Sequence, residues 1–111
     1  MNDSMRLKNL IPSCNLKGAD LVKRKKELQS SFVKKIYKVE ELETGYDFIF
    51  HEPIAYSSEL LEFINFERNC CSSFAFALIF EPHNKATHLQ IYGSKEIKEE
   101  IKRVFKELGV L

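Results

Sequence analysis

Cysteine is scarce in this chain and poorly placed for cross-linking: there are three, an odd number, and two of them, Cys70 and Cys71, are adjacent. Adjacent cysteines could close only a strained ring incompatible with helical backbone. A disulfide framework is therefore excluded as the basis of the fold, and reduced thiols in a cytoplasmic setting are expected. Excess charge is lacking too. Seventeen Lys and Arg against sixteen Asp and Glu leave a formal +1, which supplies no global attraction to nucleic acid or anionic lipid. No apolar run approaches the roughly 20 residues of a membrane span, and the N-terminus has no apolar segment of signal-peptide type. Neither a nucleic-acid partner nor a membrane is expected. Gly-rich phosphate loops, C-x-x-C spacing, Ser-His-Asp arrangements and paired catalytic carboxylates are also missing, which removes the most recognisable enzyme classes.

What is present is enough apolar material for one core. The 111 residues are 44% hydrophobic and include nine Phe, which suits one compact domain and not two. Residues 1–13, ending beside Pro12, read as a loosely ordered lead-in, and 14–111 as a single domain. Asp20 is suited to cap a helix reaching about Gln29. The basic run Lys23-Arg24-Lys25-Lys26 wraps around that helix, as solvated charge does, instead of forming one face. From Phe32 the period shortens. Phe32–Glu40 is rich in β-branched and aromatic residues, Leu42-Glu43-Thr44-Gly45 has turn chemistry, and Tyr46, Phe48 and Phe50 alternate with Asp47, Ile49 and His51, which predicts a hairpin.

A helix from Ser57 or Ser58 to about Asn69 comes next, then a strand over Phe74–Glu81, a turn at Pro82-His83-Asn84-Lys85 and a returning strand over Thr87–Tyr92. Ser94 is placed to cap a last helix whose stripe is Ile97, Ile101, Val104, Phe105 and Leu108. The two ββα halves form a weak internal repeat. The expected fold is a two-layer α+β domain of order α-ββα-ββα. Its four-stranded antiparallel sheet would carry the helices mainly on one face, with the leading helix over an edge or part of the open face.

The run Glu67-Arg68-Asn69-Cys70-Cys71 breaks the pattern. With Leu60 at zero on a helical wheel, Ile64 lies near about 40°, Glu67 about −20° and Cys71 about 20°, whereas Glu62, Asn65 and Asn69 face away. A carboxylate thus falls inside the apolar stripe, and burying it is costly unless it is paired, protonated or bound to a cation. A structural ion pair is the plain reading, with Arg68 at the stripe edge or Arg24 from the first helix as partner. Cys71 alone reads as a core filler, while Cys70, at about −80°, sits at the stripe margin. Together they make an ionisable cluster of the kind enriched at functional sites.

Thiolates select zinc, copper(I) or another thiophilic ion. Adjacent cysteines on a regular helix cannot complete such a site, so Cys14 is the candidate third ligand and Glu67 or His51 the fourth. His83 and His88 flank a turn and read as surface residues. A nucleophilic Cys70 or Cys71 with Glu67 as proton carrier is the alternative. It has to work against the helix C-terminus, with only Arg68 to offset the dipole, and no Cys-His pair is visible. An interaction module without chemistry, dimerising through an open aromatic face of the sheet, is a third reading.

The stretch ERNCCSSFAFALIF, with Cys14-Asn15-Leu16 and a basic helix upstream, resembles a group of small, largely uncharacterised bacterial proteins. These carry C-x-L near the start and E-R-x-C-C-x-F in the middle. The resemblance spans about Cys14 to Phe105, and here Ser73 adds one residue before Phe74. Some of the group are associated with heavy-metal resistance. The resemblance implies that Cys14, Glu67, Arg68, Cys70 and Cys71 form a family site, and it implies no reaction. The resulting expectation is a small cytoplasmic binding domain that captures a soft metal ion or thiophilic compound. Cys14, Cys70 and Cys71 would be its ligands, and Arg68 and Arg24 would hold Glu67.

Overall fold

The computed structural model describes residues 18–51, 53–70 and 73–111. Its elements are α1 (Ala19–Gln29), a 3-10 turn (Phe32–Lys35), β1 (Lys38–Leu42), β2 (Gly45–Phe50), α2 (Pro53–Cys70), β3 (Ala75–Phe80), a second 3-10 turn (Pro82–Asn84), β4 (Thr87–Tyr92) and α3 (Lys95–Glu107). The fold is α+β, with one antiparallel sheet in the order β1-β2-β4-β3. The second strands of the two ββα units pair at the centre, and the first strands are the edges.

Strand alternation decides which face is apolar. Tyr46, Phe48 and Phe50 of β2 lie opposite Ile91, Leu89 and Thr87 of β4, and β3 adds Phe76, Leu78 and Phe80 to the same side. The helices cover this side. The Phe48 ring lies 4.4 Å from that of Phe105 in α3, and Phe63 of α2 meets Phe32 at 4.9 Å and Phe76 at 6.2 Å. The opposite face carries Asp47, Ile49, Ala75, Ala77, Ile79, His88, Gln90 and Tyr92. The open aromatic face suggested for self-association is therefore not what the sheet exposes, because the phenylalanines of β2 and β3 point toward the helices.

Helix α1 also differs from its expected place. Leu28 and Phe32 join the same core as Phe63, Arg24 reaches Glu67 in α2, and Lys25 reaches Glu107 in α3. This helix thus bridges α2 and α3 on the helical side, anchored by Leu28 and the aromatic residue just beyond its end. Phe32–Lys35 is a 3-10 turn and not strand. Phe32 and Val33 are both buried in the core that Leu28 and Phe63 share, and the Ile36 N–H donates to the Val33 carbonyl at 3.3 Å, closing a tight turn instead of a ladder. Helix α2 begins at Pro53, several residues before Ser57, because proline at the first helical position forfeits no intrahelical hydrogen bond.

Two local devices fix the central strand pairing and the start of the last helix. Gly45 opens β2 where a Cβ would stand 2.1 Å from the Ile91 carbonyl oxygen, so only glycine admits that close pairing. Ser94 caps α3, its Oγ accepting from the Ile97 N–H at 3.2 Å, and Ile97, Ile101, Phe105 and Leu108 then bury the predicted stripe. The Phe48 ring is wholly buried, so Phe48→Ala should cost about 3–5 kcal/mol in urea unfolding. Ser94→Ala should cost about 1 kcal/mol.

Candidate functional site

The last turns of α2 carry the candidate site. Leu60, Phe63, Ile64 and Glu67 are buried, and Glu62, Asn65 and Asn69 are exposed. Glu67 is only 5% exposed. Its partner is Arg24, which donates from Nη2 to Glu67 Oε2 at 3.3 Å. The guanidinium lies over α2, its carbon 3.9 Å from the Phe66 ring centroid and 6.0 Å from that of Phe63. One arginine thus supplies charge, a hydrogen bond and a cation–π contact to the same helix. Arg24 Nε is buried with no partner among the described residues. Arg68 is exposed and lines a shallow recess with Asn65, Asn69 and Phe74.

Burial pushes the Glu67 carboxyl above the usual carboxylate range. The charge and hydrogen bond of Arg24 pull it back without cancelling that effect. The pair is thus a partly compensated buried ion pair, whose value lies in fixing α1 against α2 more than in raw stability.

Cys14 and Cys71 lie outside the described residues. Cys70 is the last residue of α2, and its side chain also lies outside the description. His51 is a different matter. It follows β2, and its ring lies against that of Tyr37 with centroids 3.6 Å apart and planes tilted by 43°. It stands just before the N-terminal end of α2, whereas Glu67 lies in the helix's last turn. A helix rising about 1.5 Å per residue puts Pro53 and Glu67 about 21 Å apart, so His51 and Glu67 do not share a ligand set. Among the described residues, no three His, Cys, Asp or Glu side chains gather as a metal-binding group.

A second ionisable cluster lies on the open face of the sheet, where sequence patterning placed only a surface histidine. His88 of β4 is bracketed by two carboxylates: Nδ1 lies 3.0 Å from Asp47 Oδ2, and Nε2 contacts Glu81 Oε2. Asp47 comes from β2, and Glu81 follows the end of β3. Only an imidazolium can donate to both at once. The hydrogen bond to Glu81 does most to raise the His88 pKa above its ordinary value. Burial opposes the rise, and Asp47 adds to it. With both nitrogens engaged by carboxylates, His88 clasps β4 to β2 and to the residue that follows β3. Asp47 and His88 both fall on the less apolar side of their strands, which was visible in the sequence. Their meeting depends on the β2–β4 register, which was not.

Two outcomes follow. Arg24→Met should destabilise the fold at pH 7 by about 3 kcal/mol, because it leaves a buried carboxylate unpaired. That loss should shrink on acidification. A carboxyl with a raised folded pKa contributes most below its unfolded value and loses that contribution as pH rises through the folded one. Urea unfolding across pH measures both effects. For His88, the stability of the clasp should be fully present below the unfolded histidine pKa of about 6.5 and lost as pH rises through the higher folded value. An NMR titration of the ring should give a midpoint above that of free histidine, and Glu81→Gln should lower it.

No family model, curated protein or solved structure matches the chain.

Proposed function

We propose that the protein is a small binding domain that captures a soft metal ion or a thiophilic compound through Cys14, Cys70 and Cys71, at the C-terminal end of α2. The observation that carries the reading is the buried Glu67 held by Arg24, three and four residues before Cys70 and Cys71 in the sequence. It identifies this end of α2 as the place where the chain tolerates a costly charged group inside its apolar stripe.

Helix polarity separates capture from catalysis. The C-terminal end of a helix carries partial negative charge, which disfavours a bare thiolate but favours a cation held by thiolates. A nucleophile would gain from the opposite end of a helix. Arg24 is committed to Glu67, so the exposed Arg68 in the last turn of α2 is the cation that would offset part of the negative charge of two or three thiolates around such an ion. Zinc and copper(I) are the cofactor or cargo ions that fit such sulfur donors, with Zn–S bonds of about 2.3 Å.

Titration of the reduced protein with zinc or copper(I), followed by thiolate-to-metal absorbance and native mass spectrometry, should show one ion bound per chain. Absence of uptake by the wild type, or uptake unchanged in a Cys14→Ser, Cys71→Ser double variant, would remove the reading. Alkylation by iodoacetamide should be slow near neutral pH in the free protein and slower still once the ion is bound.

A further inference from the structure

The two edges of the sheet are built differently. β1 and β3 hold equivalent outer positions in the two ββα units. β1 is guarded: Lys38, Glu40 and Glu41 stand among its five residues. Lys98 of α3 clamps its helical side, donating to Glu41 Oε2 at 2.7 Å and to the Glu43 carbonyl at 3.3 Å. β3 reads Ala-Phe-Ala-Leu-Ile-Phe, six residues with no charge, no proline and no glycine. Among the described residues its only strand neighbour is β4. Charges, prolines and bulges are the usual means of keeping an edge from pairing with another chain, and β3 has none of them.

We propose that β3 is the dimerisation edge of this protein. Two copies would join β3 to β3 in antiparallel register about a two-fold axis, forming one continuous eight-stranded sheet. The register is set by the side chains. Centring the axis on Leu78 places Leu78 opposite its own copy, Phe76 opposite Phe80 and Ala77 opposite Ile79, and it keeps the helices of both copies on one side of the sheet.

Ile79 and Phe80 are 43% and 54% exposed, on opposite faces of the strand. In this register each gains a fitting neighbour: Ile79 lies over the small Ala77, and the exposed Phe80 ring meets the half-buried Phe76. Glu81, the first charge beyond the strand, falls opposite Ala75 and is already held by His88 of its own chain. No like charges are brought together, which makes a second copy the matching occupant. The proposal is independent of the thiol chemistry.

Sedimentation equilibrium of the full chain in reductant, which removes disulfide-linked species, tests it. The wild type should be a concentration-dependent dimer, and Ile79→Lys should raise the dissociation constant at least about tenfold with an unchanged circular dichroism spectrum. A wild type that stays monomeric up to about 1 mM, or a dimer indifferent to Ile79→Lys, would overturn the proposal. Should Ile79→Lys not fold, amide exchange of the wild type decides. Protection of residues 75–80 that rises with protein concentration, while 38–42 does not change, supports the β3 edge. Equal behaviour of the two edges contradicts it.

Discussion

The contact between Arg24 and Glu67 organises one end of this molecule. A carboxylate inside the apolar stripe of α2 would be untenable alone, and the chain meets the cost by bringing the first helix over to it. The same arginine lies on Phe66, so the polar and apolar demands of the site are met by one side chain. Because α1 reaches α3 as well through Lys25 and Glu107, the position of the first helix is tied to both of the helices that cover the sheet.

The rest of the fold supplies a rigid base for that end. Phe48, Phe50 and Phe76 pack into the core under the helices, with Phe48 against Phe105 and Phe63 between Phe32 and Phe76. Concentrating the phenylalanines on one face leaves the other with a mixed surface that includes Ile49, Ile79 and Gln90, held across strands by the Asp47–His88–Glu81 clasp. The clasp ties the far end of β3 to the centre of the sheet. It stabilises the one strand whose outer edge is chemically unprotected.

Much of this could be read from residue order. The alternation of Tyr46, Phe48 and Phe50 gave a strand with a buried face, Ser94 gave the start of α3, and a helical wheel put Glu67 among Leu60 and Ile64. Those are local patterns, each decided within one element. What escaped were pairings between elements. Arg24 and Arg68 were equal candidates for Glu67 until the first helix was placed. His88 read as a surface residue because its carboxylates come from another strand and from beyond a turn. The start of α2 at Pro53 was missed because proline reads equally as the end of a strand or the first residue of a helix. Convergence of the three thiols likewise depends on contacts between elements, which metal uptake reads and periodicity does not.

The central claim is that Glu67 and Arg24 act as one unit. A double-mutant cycle with Arg24→Met, Glu67→Gln and the combined variant, read by urea unfolding at pH 7, measures that coupling directly. A favourable interaction on the order of 1–3 kcal/mol is predicted for a contacting buried pair. Strictly additive single-variant effects would contradict the account, because the carboxylate would then be held inside α2 by something other than the first helix.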